Sequence, residues 1–202
     1  MPVLEVTQLR LKEVAAHDPA LLASLSIVRG KLQTKSVFYT CIEDPTHIVI
    51  LGIWSTLEAH HHFLASPARD EVLGPQEHLL DFISTVHMDL DAMSSLPLDA
   101  PVLALERRFI KPDCLDAYNQ AVTDDVRLMA QGTIPFNVII GWRCDASPEH
   151  PEALVFTGWP SMEAHAAFAE KTRDHAETSA IRQLYHNPEA WHGRNMERQD
   201  HQ

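Results

Sequence analysis

Hydrophobic and polar residues alternate along two widely separated stretches, "PVLEVTQLRLK" at residues 2–12 and "PVLALERRFIK" at residues 101–111. In an extended chain, successive side chains point to opposite faces, so such alternation is typical of a strand with two different faces. The pattern predicts β-strands over residues 3–11 and 102–110.

A helical pattern follows each of these strands. Asp18 is a suitable N-cap and Pro19 a suitable first helical residue. The apolar residues that recur at helical spacing after them are Leu21, Leu22, Leu25, Val28 and Leu32. The matching segment has Asp113 near its start, and its apolar stripe consists of Leu115, Tyr118, Val122, Val126 and Met129. Both segments are predicted to be amphipathic helices.

Two apolar runs, a second helix and a last strand complete each half. The runs are "SVFYTCI" and "HIVILGIW" in the first half, and "FNVIIGWRC" and "ALVFTGW" in the second, and they predict two strands each. We expect a further short helical segment at about residues 76–82 and 176–185. The closing strands are "ISTVHMDL" (83–90) and "AWHGRNM" (190–196).

The helix after the third strand opens with the same frame in both halves. "WSTLEAHHHF" (54–63) and "WPSMEAHAAF" (159–168) share W-x-[ST]-[LM]-E-A-H-x-x-F at a shift of 105, whereas the first strands match at a shift of 99. The second half therefore carries six extra residues, which fit the turn "DASPEHPE" (145–152). Self-similarity of this kind indicates two copies of one unit.

The order strand, helix, strand, strand, helix, strand is the ferredoxin-like arrangement of α+β folds. We predict two such units, residues 1–95 and 99–202, joined by "MSSLPLDAP" (93–101). A single unit leaves one face of its sheet uncovered. Two units on one chain supply a second sheet that packs against the first.

Composition and charge narrow the classes of function. The 202 residues are 45% apolar and 22% charged, with a formal net charge of −12. Nucleic acids and anionic membranes are polyanions, so this charge disfavours both as partners. The three cysteines form no CxxC pair, and the N-terminal segment lacks the pattern of a signal peptide. We therefore expect a cytoplasmic location.

The strand that ends in Trp, followed by S-x-E-A-H-x-x-F, resembles the dimeric alpha/beta-barrel superfamily. Within it, the chain is similar to fungal proteins of the antibiotic biosynthesis monooxygenase-like (ABM) group, several of which are tandem fusions. The resemblance covers both halves and implies an intramolecular alpha/beta barrel. The superfamily includes cofactor-free monooxygenases of aromatic polyketides, heme-degrading monooxygenases, polyketide cyclases and stress-response proteins, so membership does not fix the reaction.

The chain departs from the pattern of the aromatic monooxygenases. In those proteins the Trp works with an Asn four residues earlier, but Ile50 and Val155 occupy these positions here. The resemblance therefore favours oxygenation less than cyclisation, dehydration or isomerisation, because cyclases of the superfamily use His and Tyr as acid/base groups. No cofactor is expected for such chemistry.

Four histidines form two matched pairs at the shift of 105, His60 with His165 and His87 with His192. Because imidazole exchanges protons near neutral pH, we take these four as candidate catalytic residues. The other interpretation is structural, with His60 and His165 bonded to backbone and the closing strands forming a wet edge.

His61 and His62 occur in one copy only, where the other has alanine. Consecutive helical residues point about 100° apart, so the run His60–His62 cannot bind one metal ion, and we predict surface positions and no metal site.

Trp54 and Trp159 end the third strands, and Tyr39 lies on the second strand of the first copy. We assign these three as candidate substrate-binding residues, while core packing is the alternative for the tryptophans. The resulting hypothesis is a cofactor-independent tailoring enzyme of secondary metabolism that acts on a small aromatic or polyketide-like molecule. The alternatives are an ABM-type monooxygenase and a non-catalytic ligand- or protein-binding barrel, and pairing of two chains into a homodimer is left open.

Overall fold

The computed structural model describes residues 1–186 and 188–198. The chain divides into two compact units. Unit 1 comprises Met1–Met93 and the segment from Gly193 onward, and unit 2 comprises Ser94–His192. Within the described residues, the fold is mixed α+β with eight strands and six α-helices. None of the helices in this part of the chain combines the length and the apolar character needed to cross a bilayer.

Unit 1 contains four strands and three α-helices in the predicted order. The elements are β1 (Val3–Leu11), α1 (Pro19–Leu32), β2 (Val37–Cys41), β3 (His47–Trp54), α2 (Leu57–Leu64), α3 (Ala68–Leu73) and β4 (Leu80–Asp89). The strand order is β4-β1-β3-β2, and each neighbouring pair is antiparallel. Residues 193–195 also pair with β2.

Unit 2 repeats this sequence of elements. They are β5 (Val102–Phe109), α4 (Leu115–Thr133), β6 (Val138–Trp142), β7 (Glu152–Trp159), α5 (Met162–Thr172), α6 (Ala176–Arg182) and β8 (Glu189–Asn195). The strand order is β8-β5-β7-β6. Strand β7 pairs antiparallel with both β5 and β6.

Helix α1 begins where the sequence predicted. The Asp18 side chain accepts a hydrogen bond from the backbone N–H of Ala20, and Pro19 is the first helical residue. Leu21 and Leu25 are 1% and 2% exposed and pack in one cluster with Leu11, Phe38, Ile48 and Leu80. The apolar stripe of the helix therefore anchors α1 to the sheet of unit 1.

The prediction of a helical segment at residues 76–82 was wrong. Helix α3 lies earlier and runs into a 3₁₀ turn at Gly74–Gln76, while residues 80–82 belong to β4. Pro75 cannot continue an α-helix, because it lacks an N–H and its ring clashes with the preceding turn. Leu80, Asp81 and Phe82 pair instead with the end of β1, beyond a bulge at Gln8/Leu9.

Candidate active site

The repeated ten-residue frame forms the junction between a strand and a helix in each unit. Trp54 ends β3, and the hydroxyl of Thr56 caps α2 by accepting from the N–H of Ala59 at 3.0 Å. In unit 2, Ser161 caps α5 through the N–H of Ala164 at 3.2 Å. The cap fixes the direction in which the helix leaves the strand. As a result, the histidine one turn into the helix folds back over the tryptophan.

The tryptophan of each junction stacks on this histidine. The ring centroids of Trp54 and His60 are 4.5 Å apart at 22°, and those of Trp159 and His165 are 4.4 Å apart at 17°. The phenylalanine of the frame also lies beside the indole, with Phe168 at 5.1 Å from Trp159. The repeated Trp, His and Phe are therefore one aromatic cluster in each unit.

Within each unit the helix histidine meets the histidine of the closing strand, a contact that the sequence analysis did not predict. His60 Nδ1 lies 2.7 Å from His87 Nε2, and His165 Nδ1 lies 2.8 Å from His192 Nε2. In each pair one ring nitrogen must carry the hydrogen and the other must accept it. The imidazole on the helix is thus oriented by an imidazole on the closing strand.

The expectation of a wet edge at the closing strand was wrong for His87. Its side chain is 1% exposed and His60 is 3% exposed, because α2 and its imidazole cover this end of β4. His192 is half-buried. His61 and His62 are exposed, as predicted. Among residues 1–186 and 188–198, no group of three or more His, Cys, Asp and Glu side chains is arranged to hold a metal ion.

Unit 1 contains a cavity of about 340 Å³ beside its histidine pair. Trp54, His60 and Phe63 line it, together with Glu5 and Thr7 of β1. The Glu5 carboxylate accepts hydrogen bonds from the Trp54 indole N–H and, at 2.5 Å, from the Thr7 hydroxyl. Its Oε1 lies 3.9 Å from His60 Nε2. One end of the cavity thus places a carboxylate within ion-pair distance of an imidazole.

Unit 2 contains a cavity of about 440 Å³ in the corresponding position. Trp159, His165 and His192 line it, and the side chains of β5 that face it include Glu106 and Arg108. Both volumes fall within the range of about 300–1,000 Å³ that is usual for small-molecule sites. Each unit therefore has room for a ligand of moderate size next to its histidine pair.

Arg108 is the centre of a buried ion cluster in unit 2. Its guanidinium lies 2.7 Å from Asp125 and 3.1 Å from Glu106, and it is 4% exposed. Burial alone lowers the pKa of Arg108, but the charges of Glu106 and Asp125 outweigh it and raise the pKa well above the ordinary value. Burial raises the pKa of Tyr185, which donates a hydrogen bond to Glu106.

His165 is held in its neutral form. Burial, followed by the neighbouring His192, lowers the pKa of His165 from 6.5 to about 4, although Glu106 opposes the shift. In the unfolded chain the same imidazole titrates near its ordinary value of about 6.5. Between these two pH values only the unfolded state takes up this proton, so acid favours unfolding in that window.

We expect the free energy of unfolding to fall by about 2 kcal/mol more in the wild type than in a His165→Asn variant between pH 6.5 and pH 4, allowing for partial solvent screening of the ring. Above pH 6.5 this difference should not change with pH. Urea denaturation at several pH values measures it, and the exposed His150 replaced by Asn serves as the control. Parallel pH profiles for the wild type and His165→Asn would contradict the assignment.

The structure places six of the seven predicted site residues at the two cavities or in contact with their lining. Trp54, Trp159, His60, His165 and His192 line a cavity, and His87 bonds to His60. Tyr39 is different. It is fully buried and alternates with Phe38, which lines the cavity of unit 1, so its ring lies on the other face of β2. The structure does not bring Tyr39 to the cavity.

Sequence reasoning missed the charged residues of the first strands, Glu5, Glu106 and Arg108. The signal was present in the alternation. Glu5 and Thr7 in β1, and Glu106 and Arg108 in β5, occupy alternate positions of strands that are otherwise rich in buried apolar residues. Such positions face the same side, here the side of the cavity.

Solved structures of other proteins have a similar fold. A candidate monooxygenase from Fusobacterium nucleatum matches with a TM-score of 0.66 at 9% identity, covering 97% of this chain and 93% of that chain. An anthrone oxidase-like protein matches with a TM-score of 0.69 at 13% identity, covering 96% and 91%. A mutant chlorite dismutase from Candidatus Nitrospira defluvii has a TM-score of 0.63 at 10% identity, covering 96% and 91%.

The chain shares their fold. At 9–13% identity the likeness concerns the backbone and not the reaction. No protein-family model and no curated protein matches the sequence. The function must therefore be argued from the residues of the two cavities.

Proposed function

We propose that this protein is a cofactor-independent enzyme that transfers protons on a small aromatic or polyketide-like substrate, in reactions such as isomerisation, dehydration or cyclisation. The observation that carries the proposal is the oriented histidine pair in both units, with one imidazole stacked on a tryptophan in the wall of a cavity. A helix imidazole whose hydrogen bond is fixed is suited to general acid/base work. The tryptophan offers a flat apolar surface to an aromatic ring.

The proposal includes the finer architecture. We propose that the two units are tandem ferredoxin-like modules, residues 1–95 and 99–202, that form a dimeric alpha/beta barrel within one chain. In support, each unit runs strand, helix, strand, strand, helix, strand, and the strand order within unit 2 corresponds to that within unit 1. Duplication explains why the histidine pair occurs twice.

The proposed reaction requires only the transfer of protons. A base takes a proton from a hydroxyl or an activated carbon of the substrate, and the same proton or another is returned at a different atom. No electrons are gained or lost, so neither an oxidant nor a reductant is needed. General acid/base assistance of this type typically contributes about 10²- to 10⁴-fold to a rate.

Anthrone is a suitable test substrate, because its C10 hydrogens exchange through the anthrol tautomer by proton transfer alone. We expect the wild-type protein to accelerate exchange of the C10 hydrogens with D₂O under argon, as followed by proton NMR. His60, His87, His165 and His192 are replaced singly by Ala, with the exposed His62→Ala variant as the control. Unaccelerated exchange, or unchanged rates in all four variants, would eliminate the proposed mechanism.

The second candidate is an oxygen-consuming reaction. It is suggested by two structural neighbours, one described as a candidate monooxygenase and the other as an anthrone oxidase-like protein. The same experiment in air separates the two. Protein-dependent oxygen uptake with formation of an oxidised product would support this candidate. Oxygen uptake equal to that of buffer, with exchange intact, would support proton transfer alone.

A further inference from the structure

The first strands of the two units carry a carboxylate at different positions. At the shift of 99 that aligns these strands, Glu5 corresponds to Ala104, and Thr7 corresponds to Glu106. Both carboxylates line the cavity of their own unit. The carboxylate of unit 2 thus lies two residues further along its strand than the carboxylate of unit 1. A shift of two residues keeps the side chain on the same face of the strand but changes its contacts.

In unit 1 the carboxylate lies beside the histidine pair. Glu5 lies 3.9 Å from His60 Nε2, and its position is fixed by hydrogen bonds from Trp54 and Thr7. Thr7 is in turn hydrogen-bonded to Thr85 of β4 at 2.8 Å. These contacts hold a negative charge at the place where His60 becomes positive on taking up a proton. Attraction between the two charges stabilises that state.

In unit 2 the carboxylate is paired with an arginine instead. Glu106 is paired with Arg108 and accepts a hydrogen bond from Tyr185, while Ala104 leaves no acidic group at the place of Glu5. His165, whose pKa is lowered to about 4, is a weak base at neutral pH. A catalytic base works best when its pKa is near the working pH. The position of the carboxylate relative to the histidine pair therefore favours unit 1.

We infer that unit 1 holds the working site, that Glu5 is a binding and positioning residue in it, and that its ligand is a largely apolar ring system bearing one acidic hydroxyl. This inference rests on the proposed function. The hydroxyl is recognised by the Glu5–His60 end of the cavity. The remaining lining is mainly apolar and includes Leu25, Phe38, Ile50, Phe63, Leu80 and Phe82.

The two arginines that line the cavity are each paired with a carboxylate, Arg29 with Glu197 and Arg69 with Asp70 and Glu77. A phenol or enol is a neutral ligand whose hydroxyl can donate to the Glu5 carboxylate. Transfer of its proton to His60 Nε2 leaves a phenolate or enolate and an imidazolium facing Glu5, and return of the proton to carbon completes an isomerisation.

The first test compares three Glu→Gln variants in the anthrone exchange assay. We expect Glu5→Gln to lower kcat by about 10- to 100-fold, since a neutral amide no longer stabilises the imidazolium. The KM for anthrone should change by less than about threefold, because the keto form has no hydroxyl for Glu5 to recognise. Glu58, an exposed carboxylate on α2 of the same unit, gives the control Glu58→Gln, which should match the wild type. Loss of kcat in Glu106→Gln but not in Glu5→Gln would overturn the inference.

The second test measures recognition without turnover. Isothermal titration with 1-naphthol and with 1-methoxynaphthalene compares two similar ring systems, of which only the first has a hydroxyl to donate. We expect the wild type to bind 1-naphthol about tenfold more tightly, and we expect Glu5→Gln to lose this preference while Glu106→Gln keeps it. Equal affinities in the wild type would contradict the inference.

The two tests separate the inference from the proposed function. Absence of exchange in the wild type, with the hydroxyl preference intact and dependent on Glu5, would refute the proposed catalysis and support the binding site. Exchange that is intact in Glu5→Gln but lost in Glu106→Gln would support the catalysis and refute its placement in unit 1. Thermal unfolding of each variant shows whether it is folded. A loss of activity is interpreted only for variants that are folded.

Discussion

Replacing His60 with alanine is expected to lower the rate of anthrone proton exchange by about 10²- to 10⁴-fold, the usual contribution of general acid/base catalysis. His60 lines the cavity of unit 1, stacks on Trp54 and faces Glu5. Removing its ring therefore removes the proton acceptor and leaves most of the apolar lining in place. Binding of 1-naphthol should weaken far less than the exchange rate, and kcat and KM measured separately show the difference.

Chemical rescue distinguishes catalysis from a structural role of His60. Free imidazole at millimolar concentration should restore part of the exchange rate in His60→Ala, because the truncated side chain leaves space beside Glu5. His87 bonds to His60 without lining the cavity, so His87→Ala should lose less activity and gain nothing from added imidazole. A His60→Ala variant that is folded and as active as the wild type would refute this role.

Replacing Asp125 with alanine is expected to destabilise the protein by about 3 kcal/mol or more, because it leaves the buried guanidinium of Arg108 without its closest partner. The side chains of Arg108 and Asp125 are 4% and 6% exposed and lie 2.7 Å apart. Glu106 remains near Arg108 and offsets part of the lost stability. The expected value therefore lies toward the lower end of the range of about 3–5 kcal/mol that is usual when a buried ion pair is broken. Urea denaturation of the variant measures the change.

The neighbouring Asp124 provides a matched control on the same helix. It pairs with Arg127 on the surface, where the two side chains are 55% and 67% exposed, so Asp124→Ala should cost less than about 1 kcal/mol. Adding Arg108→Met to Asp125→Ala should recover part of the stability, because the unpaired charge is removed together with its partner. Equal stabilities for the Asp124 and Asp125 variants would show that the buried pair contributes little.

The carboxylates on the first strands of the two units have different partners. Unit 1 keeps an acidic group at its imidazole and a mostly apolar cavity. In unit 2 the corresponding face of the first strand joins α4 to the sheet through Arg108 and Asp125. We therefore expect variants of the Arg108 cluster to affect stability more than exchange activity.

The amino-acid sequence by itself determined the order of elements and matched the four histidines between the two halves. Alternation predicted β1 and β5, and Asp18 with Pro19 predicted the start of α1, because strand faces and helix caps depend on neighbouring residues. The similarity between the two halves, at a shift of 105, identified His60, His87, His165 and His192 as matched positions.

Only the tertiary structure decided what these residues contact. The sequence could not show that residues 80–82 extend β4, since that depends on pairing with β1 far away in the chain. Nor could it show that Glu5 lies beside His60 whereas Glu106 is paired with Arg108. Ion pairing and burial depend on distances between segments remote in sequence, and those distances exist only once the strands and helices have packed.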